Sequence, residues 1–329
     1  MKIIEKIRLK VKRTAYVAVT RALARAAKND YLRGKIQYLL RIIINSIRGD
    51  IKNYYQNRAT SDLAQLMHET LAGRWIINQH GFGRIIGETK AISFIFPFYK
   101  KEKEILNAIK TLKNQIFNKL SLADIEIIVI DDGSKDLLDE HIDQDVIYLR
   151  RNKFGYGISR SRNLGAKIAN GRVLCFVDPD FEFPNDYVEN LYSEYLKYGP
   201  RTVITGYISD YFYNGCPDPR VAFGAWENPN RKTKRFLQLA GGHMAISRDL
   251  FSRVGGFDED LIYGEVEDTF YGFLLSKEPD VDIVFSTKVN VRHVPHPLGL
   301  AHQSPEESFR VAAFKAPDFY KTYVLDGKR

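Results

Sequence analysis

The apolar positions of this chain change rhythm near residue 90. Before that point they recur every three or four residues. Leu32, Ile36, Leu39, Leu40, Ile43 and Ile47 share one helical face over 31–47, with Arg33, Lys35, Arg41 and Arg48 largely elsewhere on the wheel. Residues 1 to about 88 therefore read as helical, with no clear alternating strand. From Ala91 onward the pattern becomes short, unbroken apolar runs separated by helical stretches. Ile92 to Phe98, Ile125 to Ile130, Val146 to Leu149 and Val173 to Val177 read as strands, and Glu102 to Gln115 and Ser159 to Ala169 as intervening helices. Strands alternating with helices in this way predict an α/β fold with a doubly wound, mostly parallel sheet and an N-terminal helical appendage.

Two of these strands end abruptly in carboxylates. Val173 to Val177 runs into Asp178-Pro179-Asp180, and Ile125 to Ile130 into Asp131-Asp132-Gly133-Ser134. Open α/β sheets bind ligands beyond the carboxyl ends of their strands, so two acidic edges in one sheet suggest a shared nucleotide site. A bare Asp-x-Asp is more often a solvated acidic turn. Its other use is to hold a hard divalent cation, which takes oxygen ligands and leaves positions open for phosphate oxygens.

Charge and cysteines narrow the setting. The net charge is +9, yet residues 1–50 alone hold thirteen Lys/Arg against Glu5, Asp30 and Asp50, so the remaining 279 residues are close to neutral. The basic face of 31–47 fits docking on an anionic membrane surface, or packing on the main domain or a second subunit. No base-reading module accompanies the charge, which argues against nucleic acid. Hydrophobic content of 44% without low-complexity tracts marks a folded rather than disordered chain. Cys175 and Cys216 are far apart, and the first lies in a proposed buried strand, so no disulfide framework is expected. No apolar run is long enough to span a bilayer, and Lys2, Glu5, Lys6, Arg8 and Lys10 interrupt any secretory leader. A cytoplasmic location, peripheral on the cytosolic face of a membrane, is the expectation.

From about Ala91 to Pro297 the chain resembles family 2 glycosyltransferases of the GT-A fold. Five ordered pieces carry the resemblance: Pro97-Phe98-Tyr99 after the first strand; IIVIDDGS, Ile127 to Ser134; GISRSRNLG, Gly157 to Gly165; Asp178-Pro179-Asp180; and GGHMAISRDLFSRVGGFDE, Gly241 to Glu259, leading to Glu267-Asp268. The resemblance implies a metal-dependent inverting transfer of a sugar from a nucleotide diphospho-sugar, UDP-linked, to a hydroxyl of a glycan or glycolipid. It assigns Pro97, Tyr99, Asp131, Asp132, Arg162, Asn163, Asp178, Gly242 and His243 to the nucleotide sugar, with Asp131 on the uracil imide. Asp178 and Asp180 would hold Mn²⁺ or Mg²⁺, with Mn²⁺ favoured by an imidazole ligand from His293 or His296, His293 preferred. Asp268 is the implied base and Glu267 an acceptor contact, with Glu265 in reserve.

The chain departs from the family pattern at three places. Ser161 stands where alanine is common, Tyr263 to Asp268 is one residue longer than the usual W-G-G-E-D, and Phe273 replaces a frequent arginine. Trp226 could stack on a sugar or pack in the core. The expected organisation is a basic helical region over 1–88, a catalytic domain over 89–297, and a loop with a short helix over 298–329 serving as a lid. Two rival functions share such a fold. One is a non-catalytic sugar-binding or scaffold protein; the other is a sugar-phosphate nucleotidyltransferase, which calls for a glycine-rich loop where this chain has Lys100-Lys101-Glu102.

Overall fold

Unbroken apolar runs form the centre of the sheet because neither of their faces meets water. The computed structural model describes residues 75–77, 89–135, 138, 141–143, 145–151, 157–210, 218, 220, 227–261, 266–294 and 305–326. The expectations for the basic helical face of 31–47, for Trp226, Glu265 and His296, and for the loop part of the lid, over 298–304, lie outside these residues.

In chain order the elements are β1 (Trp75–Ile77), β2 (Lys90–Phe98), α1 (Glu102–Lys113), β3 (Ile125–Asp131), β4 (Val146–Arg151), α2 (Ile158–Ile168), β5 (Gly171–Val177), β6 (Phe181–Glu182) and α3 (Tyr187–Tyr198). They continue with β7 (Thr202–Ser209), β8 (Lys232–Thr233), β9 (His243–Ser247), α4 (Arg248–Val254), α5 (Glu267–Ser276), β10 (Asp282–His293), α6 (Pro305–Lys315) and α7 (Pro317–Asp326). The sheet runs β1-β4-β3-β2-β5-β9-β7-β10-β6, with β8 paired to β10. β4, β3, β2 and β5 are parallel to one another, and β9 is antiparallel to both β5 and β7.

Residues alternate along β2 and β3 between two cores. Ile95, Ile128 and Ile130 face Leu164 and Ile168 of α2. Phe94, Phe96, Ile127 and Val129 face Ile105, Ile109 and Leu112 of α1 and Leu191 of α3. Burying each such aliphatic side chain contributes about 1.5–3 kcal/mol. Glu102 and Glu104 in the first turn of α1, and Lys110 and Lys113 in its last, complement the helix dipole. Pro97 is tolerated in a central strand because pairing of β2 with β5 ends at Ile95–Phe176, so its missing N–H leaves no gap on that side.

Two boundaries differ from those expected. Trp75–Ile77 is a strand antiparallel to β4, so the sheet draws on residues before 89. A three-residue strand carries too few positions to show a period-two pattern. At the other end, the expected short helix is two helices. Ala312 of α6 and Phe319 of α7 are fully buried, and the Phe319 ring lies 5.2 Å from Phe270 and 5.3 Å from Phe273. Phe273, where an arginine is frequent, is thus a core residue facing α7. Among the described residues no helix is long and apolar enough to cross a membrane.

Candidate active site

The antiparallel strand β9 brings a pair of glycines against the acidic end of β5. Val177 pairs with His243, and the Asp178 N–H donates to the Gly242 carbonyl at 3.0 Å. These glycines are required by space. A Cβ on Gly242 would stand 2.0 Å from Asp178 Oδ2, and one on Gly241 would stand 2.6 Å from Arg162 Nη1 and 2.7 Å from Asp268 Cβ. The Gly241 N–H donates to Asp268 Oδ2 at 3.0 Å. Asp178 and Asp268 therefore flank one bare stretch of backbone, although 90 residues separate them in sequence.

Arg162 of α2 ties these two sides together. Its Nη1 donates to Glu267 Oε1 at 2.9 Å, and its Nη2 lies 3.4 Å from Asp178 Oδ1. The guanidinium is 2% exposed and sits over the Phe257 ring. One buried cation thus serves two carboxylates from opposite sides of the site. Removal from water, then the proximity of Asp268, holds Glu267 up at about 7 against the opposing pull of Arg162. Asp178 is also raised, first by removal from water and further by Asp180 and Asp268, with Arg162 and Lys101 opposing. Glu267 is 4% exposed and grips Arg162, so the structure gives it a positioning role in place of the expected acceptor contact.

Asp180 is assembled with the end of β10. Phe181 pairs with His293, and the Val294 N–H donates to the Asp180 carbonyl at 2.8 Å. His293 Nε2 consequently lies 3.6 Å from Asp180 Oδ2, and the Lys101 ammonium is bonded to that same oxygen. Among the described residues no three ligating side chains already converge on one point. Two carboxylates and a nearby imidazole are nevertheless a donor set suited to Mn²⁺, and a cation there would relieve the mutual repulsion of Asp178 and Asp180. A lysine in a loop carries no sequence pattern, so only the fold shows the partner of Lys101.

The nucleotide side requires three corrections. Asp131, expected on the uracil, is fully buried: Oδ1 accepts from the Ser134 N–H at 2.8 Å and Oδ2 from the Tyr148 hydroxyl at 2.6 Å. The last strand residue has turned inward and fixes the turn, where Gly133 takes φ 87°. Its neighbour Asp132 is 8% exposed, with Oδ2 accepting from the Gly157 N–H at 3.0 Å. Asn163 mimics a peptide across the chain, donating to the Phe257 carbonyl at 2.8 Å and accepting from the Phe257 N–H at 2.9 Å, so it pins a loop. Pro97 is buried in β2, and Tyr99 is half-buried with Lys100 over its ring at 4.9 Å.

His243 is the third correction. It is 1% exposed, its Nδ1 donates to the Gly206 carbonyl at 3.1 Å, and its Nε2 accepts from the Tyr187 hydroxyl at 3.1 Å. The alternation of β9 turns it into the core. Burial, aided by Arg220, lowers it from 6.5 to about 3. Because the folded value is depressed, its stabilising contribution is complete above about pH 6.5 and is lost as pH falls toward 3. Between pH 7 and 4.5 the fold should lose on the order of 2 kcal/mol through this group alone. Urea titrations should show His243→Gln less stable than wild type at pH 7 and the gap closing by pH 4.5; parallel pH profiles would refute this.

Residues 93–255 match the family model described as Glycosyl transferase family 2. Over these residues the chain is similar to family 2 glycosyltransferases. Over 225 residues, 57% of this chain, it is 23% identical to the chondroitin synthase of Escherichia coli, of which the match covers 32%. The chain thus spans about a third of that relative's length. The fold resembles that of TarS from S. aureus in complex with UDP-GlcNAc, with a TM-score of 0.53 at 19% identity, over 68% of this chain and 66% of that one. It also resembles GalNAc-T7 with UDP, GalNAc and Mn²⁺, with a TM-score of 0.56 at 20% identity, over 71% and 49%. These likenesses establish a GT-A-type fold for the described residues.

Proposed function

We propose that this chain is a metal-dependent inverting glycosyltransferase moving a sugar from a UDP-sugar to a hydroxyl of a glycan or glycolipid. The observation that carries the reading is the Gly241-Gly242 backbone, with Asp178 on one side and Asp268 on the other. The absent side chains let the two carboxylates close on one segment, which sets a diphosphate anchor beside a base. That fold neighbours hold UDP-GlcNAc, or UDP with Mn²⁺, supports the choice of nucleotide and ion.

In this mechanism Asp178, Asp180 and His293 would hold the divalent cation. When bound, that ion supplies positive charge where the departing diphosphate gains negative charge. Asp268 removes the proton of the acceptor hydroxyl. The freed oxygen forms a bond to the anomeric carbon, the bond from that carbon to UDP breaks, and UDP departs with its electron pair. A single displacement of this kind inverts the anomeric centre. The Gly241 N–H holds Asp268 Oδ2, and the Thr269 N–H donates to Oδ1 at 2.6 Å, so the base is oriented before substrate arrives. Glu267 and Arg162 keep Asp178 and the base in register.

A panel of nucleotide sugars tested by thermal shift in the presence of Mn²⁺ checks the donor class. A UDP-sugar at a hundredfold excess over its Kd should stabilise the fold by about 2.7 kcal/mol, and EDTA should abolish the effect. Stabilisation by no nucleotide sugar, or stabilisation indifferent to EDTA, would contradict the reading.

A further inference from the structure

Asp180 already holds a cation, supplied by the chain itself. Lys101, at the N-cap of α1, places its ammonium on Asp180 Oδ2, the oxygen that His293 Nε2 also approaches. Asp180 is almost fully buried at this contact, whereas the lysine side chain remains 29% exposed. Its loop is built rather than loose. Lys100 adopts φ 54°, in the left-handed region that side chains disfavour, and its N–H donates to Ser134 Oγ at 3.0 Å. Ser134 is in turn held by Asp131, so the turn delivering Lys101 is fastened to the end of β3.

We propose that Lys101 is the internal counter-cation of this site. The inference rests on the reading of Asp180 as a metal ligand. Without donor, the ammonium occupies the acidic oxygen that a divalent cation needs, and two cations cannot share it without strong repulsion. Loading therefore requires Lys101 to leave. A lysine is suited to this, being a compact charge on a flexible stem whose outer end is still solvated. The displaced ammonium then has the diphosphate as its nearest new partner, where it adds a second positive charge. Metal alone binds weakly, metal with nucleotide binds tightly, and the two arrive together.

Calorimetry on the full chain tests this by titrating Mn²⁺ alone, and then UDP at saturating Mn²⁺, into wild type, Lys101→Met, Lys101→Arg and Asp180→Asn. Lys101→Met should bind Mn²⁺ alone about tenfold more tightly and UDP about tenfold less tightly, while Lys101→Arg should stay near wild type because the charge is kept. Unchanged Mn²⁺ affinity in Lys101→Met, alongside loss of binding in Asp180→Asn, overturns the inference and leaves the metal reading standing. Full Mn²⁺ affinity in Asp180→Asn overturns the metal reading and the inference with it. If Lys101→Met melts early, Lys101→Gln repeats the measurement with a polar side chain at the half-exposed position.

Discussion

Asp268→Asn should lower sugar transfer by about three orders of magnitude while leaving UDP affinity at saturating Mn²⁺ within about twofold. Asparagine is nearly isosteric, and its amide oxygen can still accept from the Gly241 N–H, which holds the loop against Asp178 at the cost of the Thr269 N–H bond to Oδ1. What disappears is the lone pair that takes the acceptor proton. A positioned base contributes about a hundred- to ten-thousandfold, and among the described residues its neighbour Glu267 does not replace it. Glu267 is the nearest carboxylate, but it is buried, bound to Arg162 and raised to about 7. Rate measurements with a UDP-sugar and any accepted glycan read the loss. Persistent transfer would move the base elsewhere.

The second large effect is expected at Asp180. Asp180→Asn should weaken Mn²⁺-dependent UDP binding by about a hundredfold or more, since an amide oxygen is a far poorer ligand for a hard cation than a carboxylate. The fold should be little affected. The β6–β10 pairing that holds this segment uses backbone groups, including the Asp180 carbonyl, and these are untouched. Melting of the ligand-free variant near the wild-type temperature, together with loss of metal-dependent UDP binding, separates a ligand role from a structural one. An intact UDP affinity would remove Asp180 from the anchor.

The central strands were legible in the sequence because burial on both faces writes an unmistakable signal. Ile125–Asp131 and Gly171–Val177 are buried along nearly their whole length, and their acidic ends mark the sheet edge. Elements whose pattern depends on distant partners were not. β1 is three residues long, and α7 is needed only because Phe236, Phe270 and Phe273 must be covered. At the site, motif positions located the neighbourhood but not the direction each side chain faces. Asp131 and Asp132 are adjacent and chemically identical, yet one closes on Ser134 and Tyr148 and the other on the Gly157 N–H. The same parity turns the His243 side chain into the core next to Gly242. Asn163 belongs to a motif, but its amide satisfies Phe257. Lys101 belongs to no motif, and its partner lies 79 residues away.

The proposed chemistry divides the labour between an anchor for metal and diphosphate at Asp180 and a base at Asp268. Calorimetric titration of UDP into wild type, Asp180→Asn and Asp268→Asn, each with Mn²⁺ and with EDTA, tests it most directly. The predicted result is Mn²⁺-dependent binding of equal strength in wild type and Asp268→Asn, and its loss in Asp180→Asn. Binding that is the same in all three proteins, or that ignores Mn²⁺ in the wild type, would contradict it.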